Sequence, residues 1–227
     1  LISDQVATPD LFYMYGLLKL HKGAEKKGVE FIKKAIQMAP KQAAFYVNLS
    51  RYFKEKGKLR DALDLLNEMI VQCGETPAVL IEMADIFKQE ERHSERIECY
   101  SKLVAIDPSN EIIFYNFGNA YRDACLFVDA EDAYLNALKL KPDFPEALMN
   151  LGLCLDAQKK TEKAIQALKE SNELRPNNLR TLTALADVCL RNQSISESYE
   201  YAQRALNIQA DDYLALTCLM KCKYELR

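Results

Sequence analysis

The chain's seven prolines stand at positions 9, 40, 77, 108, 142, 145 and 176, and counted modulo 34 they fall into two phases. Pro40, Pro108, Pro142 and Pro176 share one phase; Pro9, Pro77 and Pro145 share the other. Proline lacks an amide donor and clashes with the preceding helical turn, so proline at a fixed interval is the punctuation of a unit that the chain copies. Other residue types test the period. With place 1 set at Pro9, units begin at 9, 43, 77, 111, 145 and 179, and the eighth places are Gly16, Ser50, Ala84, Gly118, Gly152 and Ala186, all small. The twentieth places are Gly28, Ala62, Arg96, Ala130, Ala164 and Ser198, small in every unit but the third. Phe12, Tyr46, Leu80, Phe114, Leu148 and Leu182 fill the fourth place.

Within a unit the apolar spacing is helical. Phe114, Phe117, Gly118 and Tyr121 lie at i, i+3, i+4 and i+7, and Ala130, Ala133, Tyr134 and Ala137 repeat the pattern after a polar break. Each unit is therefore predicted to be a helix, a turn and a second helix, with Pro9, Pro77 and Pro145 opening first helices and the other four prolines ending second ones. Gly74 and Ala210 stand where that stop is missing, which marks the joints after units two and six as the softer ones. Two antiparallel helices approach closely only where one presents little side chain, so Gly118 and Gly152 imply tight packing that offsets glycine's cost of about 1 kcal/mol in a helix. Arg96 does not fit that scheme. Either unit three packs more loosely or the arginine stem escapes sideways to solvent.

This pattern resembles the tetratricopeptide repeat over residues 9–212, most fully in Glu111 to Tyr121 followed by Ala130, Tyr134, Ala137 and Pro142; Met69 and Leu103 depart from it where a small residue is usual. The resemblance implies an all-α solenoid, a right-handed superhelix of antiparallel helix pairs, with repeats at 9–42, 43–76, 77–110, 111–144, 145–178 and 179–212. Residues 1–8 hold the phase of a preceding second helix and are read as the end of a preceding repeat or an N-terminal extension, and 213–227 hold that of a first helix, either a cap or a truncated seventh repeat. Leu216, Leu219 and the Cys218–Cys222 pair give that last helix apolar surface, whereas a cap needs a polar face. The chain begins without Met, and is read as a piece of a longer or processed one.

Composition narrows the function. A net charge of −3 lacks the concentrated Lys and Arg of a nucleic-acid surface, and no apolar run reaches the roughly 18 residues of a membrane span. Seven cysteines inside apolar helical patterns, with no signal peptide, suggest free thiols and a cytoplasmic protein. No catalytic residue, metal site or cofactor is expected. The two histidines, His21 and His93, are far apart, Cys218 and Cys222 have no second pair or nearby His to complete a tetrahedral site, and no glycine-rich phosphate loop occurs.

The site expected of such an array is its concave groove, lined by first-helix residues outside the packing stripe. Tyr13, Met14, Leu17 and His21 with Val47 form an apolar patch; Asn48, Arg51, Lys54, Glu82, Asp85 and Lys88 a mixed-charge zone; Tyr115, Asn116, Asn119, Arg122, Asn150, Asp156, Arg180 and Thr183 an amide-rich zone. An Asn amide donates and accepts at once, so Asn48, Asn116 and Asn150, which share the sixth place, suit an extended peptide backbone. They resemble the asparagine ladder of the O-linked N-acetylglucosamine transferase family, broken here by Met14, Glu82 and Ala184. Asn119, Asn150 and Arg180 resemble the chaperone-tail carboxylate clamp, but Tyr115 and Ala184 stand where that clamp has cations. The expected function is a noncatalytic scaffold binding a peptide segment of another protein. The alternatives are the substrate-recruiting arm of a transferase, a co-chaperone with a degenerate clamp, and self-association through end repeats.

Overall fold

A computed structural model of the chain describes residues 8–225. The expected end of a second helix at 1–8 lies, apart from Thr8, outside the described residues. Among them are thirteen helices in sequence: α1 (Pro9–His21), α2 (Glu25–Met38), α3 (Ala43–Glu55), α4 (Leu59–Cys73), α5 (Pro77–Gln89), α6 (His93–Ile106), α7 (Glu111–Asp123), α8 (Phe127–Leu140), α9 (Pro145–Ala157), α10 (Thr161–Leu174), α11 (Leu179–Arg191), α12 (Ile195–Ile208) and α13 (Tyr213–Glu225). Each repeat contributes an antiparallel pair, and the chain is an all-α solenoid. The helices divide into two compact units, one ending at Ile106 and the other beginning at Asp107.

The residues that start and stop these helices recur with the period. Thr8, Thr76, Asn110, Asn178 and Asp212, all one place before a first helix, accept from amides of the first turn, as Asn178 Oδ1 does from Thr181 N at 3.1 Å and Asp212 Oδ1 from Ala215 N at 2.8 Å. Pro9, Pro77 and Pro145 are first helical residues. Second helices end two residues before Pro40, Pro108, Pro142 and Pro176, because the residue before a proline is driven out of the α region. Without that proline α4 runs one residue further, and Gly74 then turns the chain at φ 80°. At Ala210 the missing proline changes nothing: α12 ends at Ile208 like its counterparts.

The turn inside each pair shows a regularity of conformation that residue type conceals. Place 15 is left-handed in all six repeats: Gly23 and Gly57 at φ 75° and 72°, then Glu91, Cys125, Lys159 and Gln193 at 56–64°. Only the first two are the residue that adopts this geometry without strain.

Inside the pairs the small places meet. Ser50 Oγ donates to Ala62 O, and Ser198 Oγ to Ala186 O at 2.7 Å, so places 8 and 20 face each other. A methyl added at Gly118 would lie 2.6 Å from the Tyr134 ring, and one at Gly152 2.7 Å from Leu168. These glycines therefore do sit at close approaches. Arg96 corrects the expectation that its stem reaches solvent. It is only 4% exposed, and its guanidinium lies 5.9 Å from the centroid of the Tyr100 ring. A cation laid on an aromatic face is accommodated inside a helix pair because the ring returns part of the lost hydration.

Candidate functional site

In the unit ending at Ile106, the residues expected to line a groove are largely committed to one another. The Tyr13 ring stacks on Phe45 with centroids 4.5 Å apart, and its hydroxyl accepts from Asn48 Nδ2. Glu82, 4% exposed, takes both Arg51 and Lys54; Lys54 Nζ is 3.0 Å from Glu82 and 3.4 Å from Asp85. Burying a carboxylate costs several kcal/mol unless it is paired, so these cations complete the joint between repeats two and three before they can serve a ligand. Met14 and Leu17, 66% and 38% exposed, remain on the surface with His21 and Lys88, while Val47 is buried.

A depression of about 540 Å³ lies on the second-helix side of the same unit, lined by Lys26 and Lys33 of α2 and by Asp61, Asp64 and Glu68 of α4, with Lys58 paired to Glu25. The groove reading of the sequence did not include it.

The unit beginning at Asp107 builds a different first-helix face on the same spacing. Asn150 Nδ2 donates to Asn119 Oδ1 at 2.8 Å and to the Tyr115 hydroxyl at 3.3 Å, and the Tyr134 hydroxyl donates to the same Asn119 oxygen at 2.8 Å. Burial pushes the Tyr134 phenol above its ordinary pKa, which keeps it a donor. Tyr115 packs on Phe144, with ring centroids 4.9 Å apart. Asn150 is 2% exposed, and its Oδ1 is buried with no hydrogen-bond partner. With the Asn119 oxygen accepting from the Tyr134 hydroxyl, Asn150 turns its amide nitrogen to Asn119, which leaves its carbonyl oxygen as the orphan.

Two spacings generate both faces. A tyrosine at place 5 bonds an asparagine at place 6 of the next repeat, 35 residues on, in Tyr13–Asn48 and in Tyr115–Asn150. Place 9 meets that same place 6 from 31 residues away, as Arg51–Glu82 in one unit and Asn119–Asn150 in the other. The identical slot thus holds an ion pair or a pair of amides, depending on two residues.

The remaining expected residues separate by surroundings. Asn116 is half-buried and makes no side-chain hydrogen bond among the described residues. Arg122, also half-buried, is turned onto Asp123 at 2.9 Å. Arg180 is exposed with no ion pair among the described residues. Asp156 is bridged by both Arg191 nitrogens at 2.8 Å, and Thr183 is buried, donating to the Leu179 and Arg180 carbonyls. Tyr134, read from the sequence only as part of the packing pattern of its repeat, and Arg191 were not among the residues expected to line the groove. The 35-residue interval, which also joins Asp156 to Arg191, is the signal that finds the second of them.

No three His, Cys, Asp or Glu side chains gather as a metal site among the described residues, and no described helix is long and apolar enough to cross a membrane.

A repeated helix pair with small residues at places 8 and 20 and a polar first-helix face defines a class of repeat protein, and comparison with known proteins gives the family. Family models described as tetratricopeptide repeat match residues 9–42, 77–110 and 115–178. The chain belongs to the tetratricopeptide repeat family. It is 30% identical over 176 residues to human protein O-mannosyl-transferase TMTC1, covering 71% of this chain and 20% of that protein. It is 26% identical over 136 residues to SPINDLY of Hordeum vulgare, a probable UDP-N-acetylglucosamine–peptide N-acetylglucosaminyltransferase, covering 57% and 14%. The match thus spans a fifth or less of either relative. Among solved structures, YrrB, described as a tetratricopeptide repeat protein with an unusual peptide-binding site, superposes with a TM-score of 0.69 at 19% identity, over 82% of this chain and 96% of that one.

Proposed function

We propose that this chain is a noncatalytic protein-interaction scaffold that takes a peptide segment of a partner on the first-helix face of the unit beginning at Asp107. The observation that carries the reading is Asn150, whose Nδ2 is satisfied by Asn119 and Tyr115 while its buried Oδ1 has no donor. A buried acceptor left unpaired costs about 1–3 kcal/mol, and a ligand N–H recovers it once the side chains covering Asn150 move aside to admit it. Peptide backbone carries one such donor at every residue except proline. Asn116 offers a further amide and Arg180 a charge for the carbonyl or carboxylate side of such a ligand. The degenerate co-chaperone clamp has less support, because half-buried Tyr115 and buried Ala184 present no charge.

The test is a partner or peptide captured from a library, measured by fluorescence anisotropy against N150A, R122E and R180E. We expect N150A with R180E to weaken binding at least about tenfold, or about 1.4 kcal/mol. Unchanged affinity with intact folding puts the interface elsewhere.

A second reading rests on the transferase relatives, of which this repeat array spans only a part: the array is the substrate-recruiting arm of a larger enzyme. Sequencing the full coding region separates the two, since a transferase domain in the same polypeptide selects the arm.

A further inference from the structure

The depression between α2 and α4 has walls of opposite charge. On the α2 side Lys26 and Lys33 stand at i and i+7, with Val29 between them; on the α4 side Asp61, Asp64 and Glu68 stand at i, i+3 and i+7 beside Leu65. Each row is about two helical turns long. All five charged residues are exposed, and none makes an ion pair among the described residues. The floor between the rows is apolar: Phe53 and Leu65 are buried and Val29 is half-buried. Because α2 and α4 are consecutive second helices of one compact unit, the depression lies between neighbours of the stack.

The repeat period supplies a comparison. Lys33 and Asp61 hold places 25 and 19 of successive repeats, and Lys169 and Glu197 hold the same two places on α10 and α12. There the pair meets at 2.8 Å. The same charges at the same places therefore close one joint and stand open in the other, on either side of about 540 Å³. That space lies within the roughly 300–1,000 Å³ of ligand clefts. Charge then selects the occupant. An acidic segment gains at the lysines but is repelled by the Asp61 row, and a basic segment meets the reverse. A helix gains at both walls when its apolar stripe, laid on Val29 and Leu65, is flanked by acidic residues on one side and basic residues on the other. Turning that helix end for end exchanges its flanks, so the charges fix its direction as well.

We propose that the α2–α4 depression is a docking groove for an amphipathic helix of another protein, with an acidic row of that helix against Lys26 and Lys33 and a basic row against Asp61, Asp64 and Glu68. The proposal is independent of the peptide-binding reading, because the groove lies in the other compact unit and on second helices.

Three labelled, alanine-based helical peptides of about 18 residues test it by fluorescence anisotropy on the 227-residue chain at low salt, where exposed charges are least screened. All carry leucines at i, i+4 and i+7; the first has glutamates on one flank of that stripe and lysines on the other, the second only glutamates, the third only lysines. The mixed peptide should bind tightest. The double variant K26E/K33E, at exposed positions and checked for retained helicity by circular dichroism, should bind the mixed peptide at least about fivefold more weakly. It should also come to prefer the all-lysine peptide, a gain that misfolding does not produce. N150A should leave the mixed peptide's affinity unchanged. The proposal is overturned by no binding up to about 500 µM, the weak end of protein association, by a uniform peptide that binds as well as the mixed one, by a preference that K26E/K33E does not move, or by a loss of mixed-peptide binding in N150A.

Discussion

Gly118→Ala sets two effects of similar size against each other, and the structure decides the sign. Replacing a helical glycine by alanine should stabilise by about 1 kcal/mol through helix propensity. The added methyl would lie 2.6–2.7 Å from the Tyr134 ring carbons, whereas carbon atoms settle at about 3.5–4 Å. The ring must retreat by roughly 1 Å, and it has no room: Tyr134 is fully buried and its hydroxyl is held 2.8 Å from Asn119. Overpacking of this kind costs about 1–3 kcal/mol, and straining a buried hydroxyl from its acceptor adds about 1 kcal/mol. We expect net destabilisation of about 1–3 kcal/mol. Urea unfolding followed by far-UV circular dichroism and tyrosine fluorescence suits a chain without tryptophan. Tyr134→Leu removes the obstructing ring, so the penalty of Gly118→Ala should shrink by at least about 1 kcal/mol in the double variant. A Gly118→Ala chain that is more stable than the original, as propensity alone demands, would refute the close approach.

Two further outcomes follow from backbone and burial. Replacing Glu91, Cys125, Lys159 and Gln193 by Gly, one at a time, should raise stability by about 0.5–1 kcal/mol each, because a left-handed L-residue costs about 1–2 kcal/mol and glycine's unfolded-state entropy returns part of it. These gains should add, since the sites are far apart; four neutral substitutions would show that the turns are not strained. Burial pushes the Cys99, Cys154 and Cys218 thiols up from 9.0 to about 11, and Cys189 to about 12. The folded chain holds these protons more tightly than the unfolded one, so this contribution to stability is complete below pH 9 and is lost as pH rises above it. Urea midpoints between about pH 7 and 10 should be level and then fall, while a thiol reagent at pH 8 modifies exposed Cys125 far faster than these four; midpoints that stay level, or equal labelling rates, contradict the assignment.

Much of the fold could be read in one dimension because a repeat is a local rule. Proline phases, small residues at places 8 and 20, and apolar residues at i, i+3, i+4 and i+7 each reflect neighbours within one helix pair, and those neighbours are close in sequence. Helix starts at Pro9, Pro77 and Pro145 needed no more than this. Side chains at the joints between repeats were harder. Asn48 and Asn150 share a place and a residue type, and both donate to a tyrosine 35 residues earlier. Yet Asn150 alone is also gripped by an asparagine at place 9, where the other unit has Arg51 reaching the neighbouring Glu82.

The period, the helix pairs and their small contact points were legible in the order of residues, since each of these depends on residues within about one repeat. Which polar groups of the first-helix face are satisfied depended on the folded array. It turned Arg96 inward onto Tyr100, closed Glu82 with two cations, and left Asn150 Oδ1 without a hydrogen-bond partner among the described residues. The physical reason is that hydrogen bonds and desolvation are settled by whatever surrounds an atom in space. In a stacked array those surroundings come from the next repeat, about 30 residues away, where side-chain identity varies and the backbone period does not.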